Sequence, residues 1–343
     1  MQAATRMTIR LAAALAIAPV LAACAVADDR AAAPARDPAP IATDGWRALA
    51  DGVHFRAGAF APGRQPDGNS LLLRGRTGWI AIDTGRHAVH AQAIADAARA
   101  SGRPLVAIVN THWHLDHVAG NVLLREAYPR AEVHASRRIE RELHGFLDDY
   151  RGQLEMLLRE RPDDAQAADW RAELARIAAG PALLPTQPVT APGERRVDGR
   201  TLVLGLVGDA VSGGDVWVLD RTTGTLAAGD LVTLPVPFLD TACPDGWTRA
   251  LSALAALPFE RVVPGHGEPM TRAGFERYRR AHARLLACAA DGRPDADCAE
   301  GWVADAGEWL SVDEAARARQ LLVDYYLPAK LRPGTPRPEY CGR

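Results

Sequence analysis

Apolar residues in the first part of the folded region come in short runs of strand length, at 52–58, 70–73 and 79–82, the last closed by Asp83-Thr84-Gly85. A helix fits 87–100. Leu105-Val106-Ala107-Ile108-Val109 reads as a strand buried on both faces that delivers Asn110-Thr111 to a loop. After a further strand at 131–135 the period changes. Ile139, Leu143, Phe146, Leu147, Tyr150, Leu154, Leu157 and Leu158 fall on one helical stripe, Pro162 interrupts it, and Trp170, Leu174 and Ile177 resume the spacing. Residues 137–179 are therefore expected as a helical hairpin inserted between core strands, either plain packing or the wall of a site. Strands return at 201–206, 215–219 and 224–227, a helix starting at Trp247 puts Leu251 and Leu254 on one face, and 261–263 is the last core strand. Residues 271–290 and 312–326 read as helices. The class is α/β (α+β), with no internal repeat.

The N-terminus is of another kind. Arg6 and Arg10 precede an apolar run from Leu11 to Ala23, followed at once by Cys24. That run is too short to cross a bilayer comfortably and reads as a secretion signal. Leu21-Ala22-Ala23-Cys24 resembles the bacterial lipobox, so residues 1–23 are expected to be a lipoprotein signal peptide and Cys24 the lipidated residue. The alternative is ordinary cleavage of a soluble periplasmic precursor. Residues 24–44, rich in Ala, Pro and Asp, are expected as a flexible tether, which places the protein in the periplasm, lipid-anchored to an envelope membrane. Removing the leader takes away two arginines and no acid, so the formal net charge goes from -2 to -4, and nothing points to nucleic acid.

Cys243, Cys288, Cys298 and Cys341 remain, and an oxidising compartment favours their pairing. Three connectivities exist. The short Asp-Gly and Arg-Pro loop between Cys288 and Cys298 favours that pair, which leaves Cys243 with Cys341; a metal or nucleophilic role is the alternative for Cys243.

The chemistry is concentrated in Thr111-His112-Trp113-His114-Leu115-Asp116-His117. Imidazoles and a carboxylate at this density are what a borderline-soft divalent ion requires. Residues two apart on an extended or turning segment point the same way, so His112 and His114 suit one ion while Asp116 and His117 turn toward another. Trp113, between two ligands, is expected in a pocket wall; Trp79, Trp217 and Trp247 are expected in the core.

This motif resembles the H-x-H-x-D-H signature of the metallo-β-lactamase superfamily, whose fold is a four-layer αββα sandwich with a two-metal site at one edge of its sheets. The resemblance runs over about residues 46–275. It implies a metallo-β-lactamase-fold domain at 45–275, carrying the insertion 137–179, and a helical extension at 276–343. Asp83 matches the family's D-T-G aspartate, which supports the site from behind the ligands. Asp230 in Ala228-Gly229-Asp230 matches the carboxylate shared by both metals, and His266 in Pro264-Gly265-His266-Gly267 the last ligand of the second metal. The implied activity is hydrolysis of a small-molecule substrate through a metal-bound hydroxide, with zinc as the ion and Asp116 helping to orient the hydroxide.

One position departs from the family. Where the family supplies a further histidine in an H-x-x-G-D turn, this chain has Val211-Ser212-Gly213-Gly214-Asp215, and no histidine occurs between His144 and His266. The first site keeps His112, His114 and Asp230, with Asp209, Ser212 or a water as candidate replacements. The second keeps Asp116, His117, His266 and Asp230 and is expected to hold metal better. An accessory metal-binding protein without catalysis is the alternative. Pro235-Val236-Pro237-Phe238-Leu239-Asp240, Gly246-Trp247 and the insertion resemble the periplasmic branch of this superfamily associated with quinoprotein and sulfur-oxidation systems.

Overall fold

Alternate residues of Ser70–Arg74 face opposite ways, as a pleated strand requires, and they sort into two different apolar clusters: Leu71 and Leu73 in one, Leu72 in the other. The computed structural model describes residues 45–60 and 64–342; the expected signal peptide, Cys24 and the tether lie outside them.

The first sheet holds β1 (Arg47–Ala50), β2 (Val53–Arg56), β3 (Ser70–Arg74), β4 (Trp79–Ile82), β5 (Leu105–Val109), β6 (Glu132–Ala135) and β7 (Gln187–Pro188) in sequence order. Pairing is antiparallel as far as β4 and parallel beyond it. The second sheet runs through β8 (Gly193–Val197), β9 (Arg200–Val207), β10 (Asp215–Asp220), β11 (Thr225–Thr233), β12 (Arg261–His266) and β13 (Met270–Thr271), with β11 and β12 parallel and the other pairs antiparallel. Between the sheets Phe55, Leu73, Ile80 and Val109 meet Leu202, Leu204, Val216 and Val218.

Helix α1 (Ala88–Ala100) covers the outer face of the first sheet, setting Ala91, Ile94 and Ala98 against Leu72, Trp79 and Ile108. Two short helices, α2 (Leu115–Val118) and α3 (Asn121–Ala127), follow β5. The insertion contains α4 (Arg138–Glu142), α5 (Phe146–Glu160), α6 (Ala167–Ala178) and α7 (Gly180–Leu183). Its expected continuous stripe is broken at Gly145, whose ψ of -112° is outside the helical region, so the first arm is two helices. On the outer face of the second sheet lie α8 (Pro244–Ala255) and α9 (Arg272–Ala290), with α10 (Asp295–Ala306) packed on α9, followed by α11 (Val312–Leu321) and a wider helical segment, Leu322–Leu331. The layers are thus helix, sheet, sheet, helix, with further helices at the C-terminal side.

The sequence pattern does not foresee helices α2, α3, α7 and α10 or the four edge strands β1, β7, β8 and β13. The buried face of α10 is carried partly by Ala299 and Ala306 among acids, a weak periodic signal, and β8 is Gly-Glu-Arg-Arg-Val, a largely exposed edge strand with little apolar pattern. Conversely, β11 runs on past its expected end at residue 227, because Gly229-Asp230, which reads as a turn, is an irregularity inside the strand. Disulfides join Cys288 to Cys298, between α9 and α10, and Cys243 to Cys341, between the start of α8 and the C-terminal tail.

His282 on α9 is 1% exposed, packs against Trp247 with ring centroids 4.9 Å apart, and among the described residues finds a hydrogen-bond partner for neither ring nitrogen. Burial alone lowers its pKa from 6.5 to about 4. The unfolded chain therefore binds this proton more readily than the folded one between those values, and stability is lost as pH falls from about 6.5 to about 4, by on the order of 3 kcal/mol. Urea unfolding at a series of pH values should show a smaller acid loss in His282→Leu than in the parent. Equal slopes would contradict the assignment.

Candidate metal centre

The parallel strands β4 and β5 end side by side, and β11 and β12 do the same in the other sheet, so four strand ends meet at one edge. Asp83 follows β4, the loop with His112, His114, Asp116 and His117 follows β5, Asp230 stands in β11 and His266 closes β12. The approach of β12 to β11 needs a glycine: a Cβ on Gly265 would lie 1.9 Å from Asp230 Oδ1. Asp83 has a φ of 56°, a left-handed conformation uncommon for a residue with a side chain and tolerated best by Asp and Asn.

Asp83 organises the imidazoles. Its Oδ1 accepts the Thr111 N–H at 2.7 Å, and its Oδ2 accepts the Thr111 hydroxyl at 2.7 Å and faces His117 Nδ1 at 2.8 Å. A carboxylate only accepts, so His117 Nδ1 carries a proton, and in the neutral ring Nε2 holds the lone pair that would meet a metal. Having donated to Asp83, the Thr111 hydroxyl accepts from His112 Nδ1 at 3.1 Å, which frees His112 Nε2 in the same way. His114 is fixed from the opposite side. Thr241 Oγ1 donates to the Val211 carbonyl at 2.8 Å and therefore accepts from His114 Nε2 at 3.0 Å, leaving His114 Nδ1 as its ligand atom. Three neighbours thus select three tautomers, which is how histidine ligands are oriented at metal sites.

The free lone pairs fall into two groups, His112 with His114 and Asp230, and Asp116 with His117 and His266, the ligand atoms of each group lying within 4.8 Å of one another. Asp230 sits between them. Its Oδ2 is 3.8 Å from His112 Nε2, and its Oδ1 is 3.3 Å from His117 Nε2 and 3.7 Å from His266 Nε2. Asp116 Oδ2 is 3.0 Å from His266 Nε2 and 3.6 Å from His117 Nε2. Among the described residues, His112 Nε2 and Asp230 Oδ1 are buried without any hydrogen-bond partner. Orphaned buried ligand atoms of both kinds, set among imidazole lone pairs, fit a divalent cation.

The electrostatics agree. Burial opposes charging His117, yet the Asp230, Asp116 and Asp83 carboxylates hold it well above the usual imidazole range, and Asp230 and Asp116 raise His266 similarly. Burial also opposes ionising Asp230, but His266, His117 and His112 keep it below the usual carboxylate range. Burial, followed by repulsion from His117 and His114, drives His112 well below. The cluster demands positive charge at its Asp116, His117 and His266 end.

The turn that departs from the family is packed as structure. Val211 is wholly buried in the apolar cluster with Ala210 and Trp247. Asp215 Oδ2 accepts the Val211 and Ser212 N–H groups at 2.9 and 3.1 Å, and its Oδ1 accepts Ser212 Oγ at 2.5 Å. Burial raises Asp215 to about 6 despite these bonds. Both residues expected to replace the missing ligand are otherwise engaged: Ser212 with Asp215, and Asp209 in an ion pair with Arg249. Instead, the turn supports the site at one remove, through the Val211 carbonyl, Thr241 and His114. The disulfide-bound tail adds to this hold, since the Tyr340 hydroxyl donates to the Thr241 carbonyl.

A cavity of about 420 Å³ opens onto the centre. His114, Asp116, Asp230 and His266 line its floor; Trp113 lines it as expected, beside Phe146, Leu147 and Tyr150 from α5. The inserted hairpin is therefore a wall of the site. Thr241, Arg86 and Arg317 are not legible in the sequence, because an isolated hydroxyl or cation carries no pattern; only Arg86, the residue directly after Asp83-Thr84-Gly85, has a local cue.

A family model for the metallo-beta-lactamase superfamily matches residues 63–266. A hydroxyacylglutathione hydrolase of Gloeobacter violaceus is 54% identical over 48 residues, 14% of this chain and 19% of that protein. One from a Synechococcus species is 61% identical over 36 residues, 10% of this chain and 14% of that protein. The chain thus spans at most about a fifth of the length of these curated relatives. Among solved structures, the DIM-1 metallo-beta-lactamase has a TM-score of 0.50 at 17% identity, covering 69% of this chain and 96% of that one, a likeness of fold.

Proposed function

This chain belongs to the metallo-β-lactamase superfamily, and from that premise we propose that it is a metal-dependent hydrolase of a small molecule, with a firmly held ion at Asp116, His117, His266 and Asp230 and a weaker one at His112, His114 and Asp230. The observation that carries this reading is the pair of orphaned buried atoms, His112 Nε2 and Asp230 Oδ1, facing imidazole lone pairs of fixed tautomer. We assign zinc, which suits mixed imidazole and carboxylate donors in a site that keeps an open position toward a cavity. Bound there, it would act as a Lewis acid toward a carbonyl or sulfuryl oxygen and make water a nucleophile near neutral pH.

The protein's own groups divide the remaining work. Asp83 keeps the lone pairs of His117 and, through Thr111, of His112 aimed inward. Asp116, with Arg86 3.7 Å from Oδ1 and His266 3.0 Å from Oδ2, is held so that its carboxylate would accept a hydrogen bond from the attacking water and fix its direction. Trp113, Phe146, Leu147 and Phe238 exclude bulk water and pack the substrate body. We extend the proposal to the periplasmic, lipid-anchored setting that Cys24 implies and to an association with quinoprotein or sulfur-oxidation systems.

Val211 supports a second reading, an accessory protein that binds metal without turnover. The two part on one experiment. Zinc-loaded full-length protein is offered generic esters, lactams and thioesters, acyl-glutathione compounds among them because of the short matches to hydroxyacylglutathione hydrolases. Hydrolysis that chelation abolishes and zinc restores is expected. Bound zinc with no hydrolysis of any substrate favours the second reading.

A further inference from the structure

The charged groups lining the cavity are almost all neutralised by opposite charge. Arg86 pairs with Glu173 at 2.6 Å and faces Asp116 at 3.7 Å, Asp240 pairs with Lys330 at 3.0 Å, and the carboxylates of the centre face imidazoles. Arg64, beside the mouth, binds Asp169 through two nitrogens at 3.1 Å each. Arg317 is different: among the described residues it has no carboxylate within ion-pair distance. Its guanidinium centre lies 4.1 Å from the centroid of the Phe60 ring. Stacking occupies a face of the guanidinium and leaves its N–H edge able to bind an anion in the fork geometry particular to arginine.

Its position supplies a second constraint. Arg317 projects from α11, in the C-terminal helices, and lines the same cavity that has His114, Asp116, Asp230 and His266 on its floor. Between lie Phe146, Leu147, Phe238 and Leu321. A volume of about 420 Å³ is within the range of small-molecule sites, on the order of 300–1,000 Å³. Anything filling it while engaging the centre and Arg317 together needs an apolar body with an anionic group away from the bond to be cut.

We propose that this cavity is selective for amphiphilic anions, an apolar or aromatic body bearing a carboxylate, sulfonate or sulfate remote from the scissile bond, and that Arg317 on its Phe60 platform is the residue that takes the anion. The part concerning the bond to be cut rests on the hydrolase reading; the binding part does not.

Binding of 2-naphthalenesulfonate and of its neutral counterpart, methyl 2-naphthyl sulfone, to the zinc-loaded full chain separates the two. Arg317→Gln should weaken the sulfonate about tenfold and leave the sulfone within about twofold, while Arg317→Lys retains part of the difference. Unchanged thermal midpoints guard against a folding artefact. Equal loss for both ligands, or for neither, overturns the proposal. If the binding difference holds but no ester or thioester is turned over, the hydrolase reading fails and the anion site stands. If turnover occurs, Arg317→Gln should raise KM for anionic esters with kcat unchanged. A rise of equal size for neutral esters would overturn the anion site and leave the hydrolase reading intact.

Discussion

Replacing His117 by alanine is expected to lower kcat/KM by at least about a hundredfold and to remove the firmly held ion. The size of this effect follows from position. His117 is fully buried, its Nδ1 is 2.8 Å from Asp83 Oδ2, and its Nε2 is 3.3 Å from Asp230, 3.6 Å from Asp116 and 3.4 Å from His266. Truncation deletes a ligand and leaves Asp83 with the carboxylates of Asp116 and Asp230 and one fewer imidazole among them. Uncompensated buried charge costs about 3–5 kcal/mol, so the metal-free variant should also unfold at lower temperature than the metal-free parent. Rates and elemental analysis measured together give the check. Rates equal to the parent's would sink the assignment of the centre.

The second large effect is a gain. Val211→His should raise zinc affinity of the first group about tenfold or more, moving the ratio from about one ion per chain toward two. The backbone of the turn is already in place, held by Asp215 at two N–H groups and by Thr241 at the Val211 carbonyl, so only a side chain changes. Valine is wholly buried there, and an unliganded imidazole in its place costs stability. The variant should therefore melt below the parent in chelator and recover with zinc, by about 2.7 kcal/mol at a hundredfold excess over Kd. One ion per chain in both proteins, at every zinc concentration, would show that this turn does not stand at the first metal.

What the sequence disclosed of this centre reflects how local each part is. His112, His114, Asp116 and His117 crowd into six positions, so their chemistry is legible without a fold. Asp230 and His266 are single residues beside glycines, readable only by resemblance to a family. Thr241 was invisible because its role depends on contact with His114 across 127 positions of chain. The same holds for the layers. Long apolar strands such as β5 and β9 announce themselves, whereas β8 and β13 exist because neighbours offer them an edge, and Gly145 breaks a helix that the apolar stripe alone would continue. Loop length in the sequence points to Cys288 with Cys298, and Cys243 with Cys341 follows by remainder. The structure adds what that remainder could not say, that the second bridge holds Tyr340 against the Thr241 carbonyl.

The unequal pair of sites and the hydrolytic reading meet in one titration, in which turnover is followed as zinc is returned to chelator-treated full-length protein. Activity should rise to most of its maximum over about the first equivalent, bound at Asp116, His117, His266 and Asp230, with a second, weaker equivalent binding later. A protein that fills with zinc and stays inert toward esters, thioesters and lactams alike would contradict it.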